Sequence, residues 1–289
     1  TLKILSADGY GYMEFVPHRL CENEQSLTSF YHNAGRLTAV LHVLGCTDCH
    51  HENLIAFSDQ LVLIDTETLL EADLPDHIAD ASTQNDNSGP SKLQKRFRGS
   101  ILRSGLLPNW MFIGANKIAM DVSALGISPP SQQDERQRGW LGLNSDGMLA
   151  GFINRSSDLP TSLPINIGQP NPLEAQLNIF CKGFQEECTE LMARSSAWLG
   201  PNGLLANFIG LPRRIVLRAT RVYFSIQNQL LQPEALRSPF HQAIKLEQLA
   251  RSFLLAEEMP KHWSVFAAEL IQMQQLDIPF FVHPIDGSD

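Results

Sequence analysis

The run Cys46-Thr47-Asp48-Cys49-His50-His51-Glu52-Asn53 concentrates thiols, imidazoles, carboxylates and an amide in eight consecutive positions. Three chemistries fit those residue types. Cys46-x-x-Cys49 followed by His50 and His51 has the flavour of a zinc site. Structural zinc takes a second ligand pair at a distance, however, and Cys21, Cys181 and Cys188 form no second C-x-x-C. A second reading is a polar turn in which Asp48 and Asn53 hold backbone groups. The third is a phosphotransfer loop. That reaction needs a carboxylate beside the acceptor hydroxyl, an amide oxygen for a metal a few residues on, and a second acidic metal ligand brought back by a hairpin. Asp48, Asn53 and Asp65 occur in that order, with Glu67 two residues beyond. If strand alternation runs on past Ile64, Asp65 and Glu67 share a face.

A second candidate lies at Arg214-Ile215-Val216-Leu217-Arg218-Ala219-Thr220. On a strand, Arg214, Arg218 and Thr220 share a face, and arginine can fork onto a leaving phosphate. The plainer alternative is a strand with a solvated basic face. His50 is either a proton carrier or a loop histidine held by its neighbours.

These residues need elements to position them. Leu27, Phe30, Tyr31, Ala34, Leu37, Leu41 and Leu44 make the apolar stripe of an amphipathic helix, and Gly45 sits where such a helix stops. Leu54-Ile55-Ala56-Phe57 and Leu61-Val62-Leu63-Ile64, split by Ser58-Asp59-Gln60, predict a hairpin. Leu2 to Leu5 and Glu14-Phe15-Val16 read as short strands. Ala79 to Lys95 is Asp, Asn, Ser and Gly rich and predicts a flexible insertion, and further breaks fall at 128–138 and 155–172. Helical spacing returns over 173–199, 233–257 and 260–275, each with proline near its start. The expected class is α+β, with a helix, polar loop and hairpin core over 1–77, an inserted irregular or β region over 78–172 and a mainly helical region over 173–289.

Composition bounds the partners. A formal net charge of −9 argues against a general nucleic-acid binder, because counterion release needs clustered cations. Hydrophobic residues make up 43%, enough for a sizeable core. Apolar runs such as Leu61 to Ile64 fall far short of the roughly 18 residues of a membrane helix, so no span is expected. Five sparse cysteines and no signal pattern at the start predict a reducing, cytoplasmic setting. The start at Thr1, in what reads as mid-strand, predicts a fragment.

Several ordered segments resemble the dehydratase domain of class II lanthipeptide synthetases, the LanM type. They are Tyr10 to Val16; Phe30-Tyr31 with Gly35; Asp48-x-His50-x-Glu52-Asn53-Leu54-Ile55-Ala56; Leu63-Ile64-Asp65-Thr66-Glu67-Thr68-Leu69; Ser100 to Pro108; Asp121 to Gly126; Arg214-x-x-x-Arg218-Ala219-Thr220-Arg221-x-Tyr223; and Asp277-Ile278-Pro279-x-Phe281. The resemblance implies a lipid-kinase-like C-terminal lobe that uses ATP and Mg to phosphorylate Ser or Thr of a precursor peptide with leader and core. The same site then eliminates phosphate to leave a dehydroamino acid. It implies Asp48 and His50 as catalytic-loop residues and Asn53, Asp65 and Glu67 around the metal and phosphates, with Asn53 and Asp65 as Mg ligands. Arg214 and Thr220 would serve elimination, with Arg218 beside them at the phosphate. It also implies an N-terminal lobe with a nucleotide-binding lysine before Thr1 and a fused zinc-dependent cyclase after Asp289. Two other functions stand beside this one: a small-molecule or lipid kinase of similar fold, and a catalytically inactive peptide-binding fragment.

Overall fold

The structure is a computed structural model. It describes residues 2–71, 96–97, 99–113, 118–126, 136–142, 145–154, 161–166, 169–218, 220–250 and 263–285. The insertion expected at 79–95 lies outside these residues, as do most of 128–138 and the stretch 251–257. The architecture is mixed, with helices and small two-stranded antiparallel sheets. Contacts divide the chain into two compact units, Thr1–Leu69 with Ser100–Ala197, and Leu70–Gly99 with Trp198–Asp289.

The first unit opens with strands β1 (Ile4–Ala7) and β2 (Tyr10–Met13), paired in antiparallel register. The strand expected at Glu14-Phe15-Val16 is therefore displaced towards the N-terminus. Asp8-Gly9 supplies the turn, with Gly9 at φ +79°, and that turn fixes which residues can face each other.

Helix α1 (Glu24–Val43) starts in a capping box, in which Asn23 Oδ1 accepts from the Ser26 N–H at 2.8 Å and Ser26 Oγ accepts from the Asn23 N–H at 3.1 Å. Its apolar stripe puts Phe30, Tyr31, Ala34 and Leu41 into the core. The helix ends as the sequence predicts. Gly45 takes φ +60°, its N–H bonds to His42 O, and the Cys46 N–H bonds back to Leu41 O at 2.9 Å, a paired closure that leads the chain straight into the polar loop.

Beyond the loop, β3 (Leu54–Phe57) and β4 (Gln60–Leu63) form the expected hairpin, with Leu54 opposite Leu63 and Ala56 opposite Leu61. Leu54, Ala56 and Leu61 point into the core shared with α1. Farther on come the hairpins β5 (Trp110–Ile113) with β6 (Ile118–Asp121) and β7 (Arg136–Leu141) with β8 (Leu149–Asn154).

Helix α2 (Leu177–Ala193) lies along α1, and the short α3 (Ser195–Leu199) follows it. Glycines on both long helices let their backbones touch. A Cβ on Gly35 would stand 2.1 Å from Phe180 O, and one on Gly183 would stand 2.0 Å from His32 O. An ion pair from Arg36 to Glu187 and a hydrogen bond between His32 Nε2 and the Glu186 carboxylate flank the crossing.

In the second unit, β9 (Pro212–Ile215) pairs antiparallel with β10 (Phe281–Pro284). Helices α4 (Thr220–Leu230), α5 (Pro239–Leu246) and α6 (Trp263–Gln274) bury Tyr223, Ile226, Leu230, Leu246, Phe266 and Met273 together. The helix expected from residue 233 is broken. Ser238 is extended at φ −162°, because the ring of Pro239 excludes the helical region for the residue before it, and α5 starts afresh at that proline.

Candidate catalytic loop

The loop that follows α1 is held by its backbone from two sides. The Cys49 N–H donates to Ser104 O at 2.8 Å, at the end of a short helical turn over Ile101–Ser104. Gly105, at φ +82°, then passes so close that a Cβ there would lie 3.4 Å from the Cys49 backbone. On the other side His50 bridges Ser123, and His51 Nδ1 donates to Val122 O at 3.0 Å. That second brace is itself built on a buried carboxylate. Asp121 is 7% exposed, and its Oδ1 accepts the N–H groups of Asn109 at 3.0 Å and Ser123 at 2.9 Å. Gly126 closes the turn, since a Cβ there would collide with Asp121, Pro108 and Ser123. Asp121, Ser123 and Gly105 were given no role by the sequence reading, although the Asp-x-Ser spacing is that of an acid bonding its own backbone two residues on.

On this frame Asp48 presents an exposed carboxylate. His50 Nε2 lies 3.4 Å from its Oδ1, while His50 Nδ1 accepts the Glu52 N–H at 3.2 Å. An Nδ1 that accepts places the proton of the neutral ring on Nε2, the nitrogen nearer Asp48. Asn53 fastens the far end of the loop. Its Nδ2 donates to Asp48 O at 2.8 Å and its N–H to His50 O at 3.0 Å, which leaves its Oδ1 without a hydrogen-bond partner among the described residues.

Asp65 lies past the end of β4, so strand alternation does not govern it. Its Oδ1 accepts the Glu67 N–H at 3.0 Å, which makes a turn of the segment that carries Glu67. The shared strand face expected for Asp65 and Glu67 is thereby replaced. Asp65 is half-buried and Glu67 exposed. Asp48 and Asp65 nonetheless act on the same group. The Cys49 thiol is driven far above its ordinary value, first by its hydrogen bond to Cys46, then by burial, and then by the negative charges of Cys46, Asp48 and Asp65.

In the second unit the expected face of Arg214, Arg218 and Thr220 is not formed, because the strand stops at Ile215 and Thr220 begins α4. The cause is the apolar spacing Tyr223, Ile226, Leu230, which is helical and draws the chain out of the strand. Arg214 is half-buried, with its guanidinium 5.6 Å from the centre of the Phe280 ring, and Thr220 is exposed. Arg218 is turned inward. It bonds Glu269 Oε1 at 2.8 Å and Oε2 at 3.2 Å and donates to Leu249 O at 2.9 Å, and Tyr223 OH donates to the same carboxylate at 2.5 Å. Burial, followed by the charge of Glu269, keeps the Tyr223 phenol protonated well above its ordinary range.

A family profile described as "Domain of unknown function (DUF4135)" matches residues 1–283. The chain belongs to this family. A curated relative of this DUF4135 chain is the lacticin 481/lactococcin biosynthesis protein LcnDR2 of Lactococcus lactis subsp. lactis, 27% identical over 99 residues. The match covers 34% of the DUF4135 chain and 10% of the relative, so the chain meets only a small part of that longer protein. Among the described residues no helix is long and apolar enough to cross a membrane.

Proposed function

We propose that the chain is the dehydratase portion of a lanthipeptide-modifying enzyme, acting on Ser and Thr of a ribosomally made precursor peptide in two steps. The observation that carries the reading is the exposed Asp48 carboxylate beside His50 Nε2, on a loop tied down at Cys49, His50, His51 and Asn53. The relative named for lacticin 481 and lactococcin biosynthesis supports the substrate class.

In the first step Asp48 orients the peptide hydroxyl and accepts its proton as oxygen attacks the terminal phosphorus of ATP, and ADP leaves. His50, with its proton on Nε2, holds the Asp48 carboxylate in place. Asn53 Oδ1 and the second oxygen of Asp65 are hard oxygen donors of the kind magnesium takes, and they would hold that ion. Bound there with the nucleotide, it would supply charge neutralisation at the phosphates. In the second step a solvent-borne base takes the α-proton of the phosphorylated residue, the C–H electron pair forms the Cα–Cβ double bond, and the Cβ–O bond breaks with phosphate leaving on its electron pair. Arg214 would receive the departing phosphate and Thr220 would assist. Arg218, saturated by Glu269 and Leu249, serves that segment from within rather than contacting phosphate.

A second reading, a kinase that stops after transfer, is favoured by one observation: Arg214 and Thr220 stand on different elements rather than on one strand face. One assay separates the two. The full-length protein is incubated with ATP, Mg and a leader-bearing precursor peptide and followed by mass spectrometry. Loss of water from the peptide is the expected result. Arg214→Ala should then accumulate phosphopeptide. Phosphopeptide without loss of water from the wild type supports the kinase, and neither product overturns both readings.

A further inference from the structure

Cys46 and Cys49 flank Asp48 and are buried, at 2% and 0% exposure. Both are thiols, and their sulfurs stand 3.1 Å apart, within hydrogen-bond reach of each other. A disulfide needs about 2.05 Å, so the pair is about 1 Å from bonding distance. Each backbone is anchored independently. The Cys46 N–H is held by Leu41 O at the end of α1, and the Cys49 N–H by Ser104 O. Cys46 Sγ also lies 3.5 Å from Thr68 Oγ1, in the turn that follows Asp65. The thiol pair therefore touches both arms of the candidate site, yet neither sulfur has a part in phosphoryl transfer or elimination.

We propose that Cys46 and Cys49 form a reversible disulfide that sets the position of Asp48. With hydrogen peroxide as oxidant, the Cys46 sulfur attacks a peroxide oxygen and the O–O bond breaks, since the Cys49 thiol is the one held protonated by its surroundings. Hydroxide leaves, takes the thiol proton as water, and a sulfenic acid remains. The second sulfur attacks the sulfenic sulfur, the S–O bond breaks, and hydroxide departs with the second thiol proton as another water. Two thiols thus give two electrons to the peroxide. A reducing dithiol reverses the step by exchange. With both main-chain ends anchored, closure of the gap of about 1 Å is shared between rotation of the two side chains and the Thr47-Asp48 segment between them. That shift disturbs the bond from Asn53 Nδ2 to Asp48 O and the approach of His50 to the carboxylate. The dithiol is the competent form and the disulfide the impaired one.

The test uses the full-length protein, treated with hydrogen peroxide, blocked with an alkylating reagent, digested and mapped by mass spectrometry. Cys46 and Cys49 should appear linked within one peptide, while Cys21, Cys181 and Cys188 carry the alkyl group; dithiothreitol should restore both thiols. If Cys46 and Cys49 remain alkylatable, or are found only as sulfinic acid or joined to other cysteines, the proposal is overturned. Amide hydrogen exchange over residues 46–53 should change on oxidation and revert on reduction, and an unchanged pattern would overturn the positional effect. Since that effect on catalysis rests on the function proposed above, activity is read separately. Phosphotransfer should fall about 10²-fold in the oxidised protein, as misplacement of about 1 Å does, and Cys46→Ser should be insensitive to peroxide. A protein without activity in either redox form would refute the assigned function, while the disulfide map and the exchange data would still decide this proposal.

Discussion

Two of the clusters of acids and bases among the described residues are built in opposite ways. Around the loop after α1, the side chains of Asp48, His50 and Glu52 are 49%, 27% and 75% exposed, and the nearest contact between them is the 3.4 Å approach of His50 to Asp48. Around α4 and α6, Arg218 and Glu269 are 7% and 1% exposed, and one carboxylate receives both an arginine fork and a tyrosine hydroxyl. A carboxylate has about four acceptor sites. Glu269 spends its own on protein donors, whereas Asp48 keeps most of its sites for something that arrives from solvent. Saturation of the acid, more than its presence, separates a structural ion cluster from a candidate site.

The strongest challenge to this contrast is to remove the saturated acid. Glu269→Ala would leave the Arg218 guanidinium buried and uncompensated, and should cost about 3–5 kcal/mol. Denaturant unfolding, with hydrogen exchange to locate the loss in α4 and α6, measures it. Glu269→Leu combined with Arg218→Met should recover most of that loss, because no buried charge is left alone. If Glu269→Ala were nearly neutral, the network would be as dispensable as a surface pair and the contrast would fail.

Next in size come changes to the frame of the first unit. Gly35→Ala drives a methyl onto Phe180 O at the crossing of α1 and α2 and should destabilise by about 1–3 kcal/mol by thermal melting. Gly183→Ala acts at the same crossing, so the double variant should fall short of the sum of the two. Asp121→Ala removes the acceptor of two N–H groups and should cost about 1–3 kcal/mol. The diagnostic for Asp121 is local: faster amide exchange at His51, whose N–H bonds Val122 O in that turn. Unchanged exchange there would mean that the loop stands without its buttress.

How much of this was legible follows from the range of each interaction. Helix α1 and its stop could be read because its stripe, the glycine at Gly45 and the closing bonds all lie within a few residues. The β3–β4 hairpin could be read for the same reason. Asp48, His50 and Asn53 fell within one loop, so their grouping survived. Asp65 was placed by the hairpin, but its neighbour Glu67 was not, because a turn made by Asp65 itself replaces the strand. The segment Arg214 to Thr220 was misread because two arginines and a threonine at even spacing mimic a strand face. The competing signal, Tyr223, Ile226 and Leu230 at helical spacing, lay one turn downstream. The partner that claims Arg218 is 51 residues away, and no local pattern announces it. Side-chain direction was equally invisible: Cys46-x-x-Cys49 suggested a metal by spacing, whereas the fold turns both sulfurs into the core against each other.

The smallest expected change in stability carries the sharpest form of the comparison. Asp48→Asn keeps the shape of an exposed side chain and leaves the backbone acceptor of Asn53 untouched, so the unfolding free energy should stay within about 0.5 kcal/mol of wild type. Phosphotransfer to the precursor peptide should nevertheless fall about 10²–10⁴-fold, the range associated with loss of a positioned proton acceptor. A residue dispensable for folding and indispensable for turnover has its unfilled acceptor sites reserved for a ligand. Were Asp48→Asn instead to destabilise the chain as Glu269→Ala does, its carboxylate would belong to the frame, and the search for the reacting acid would move to Asp65.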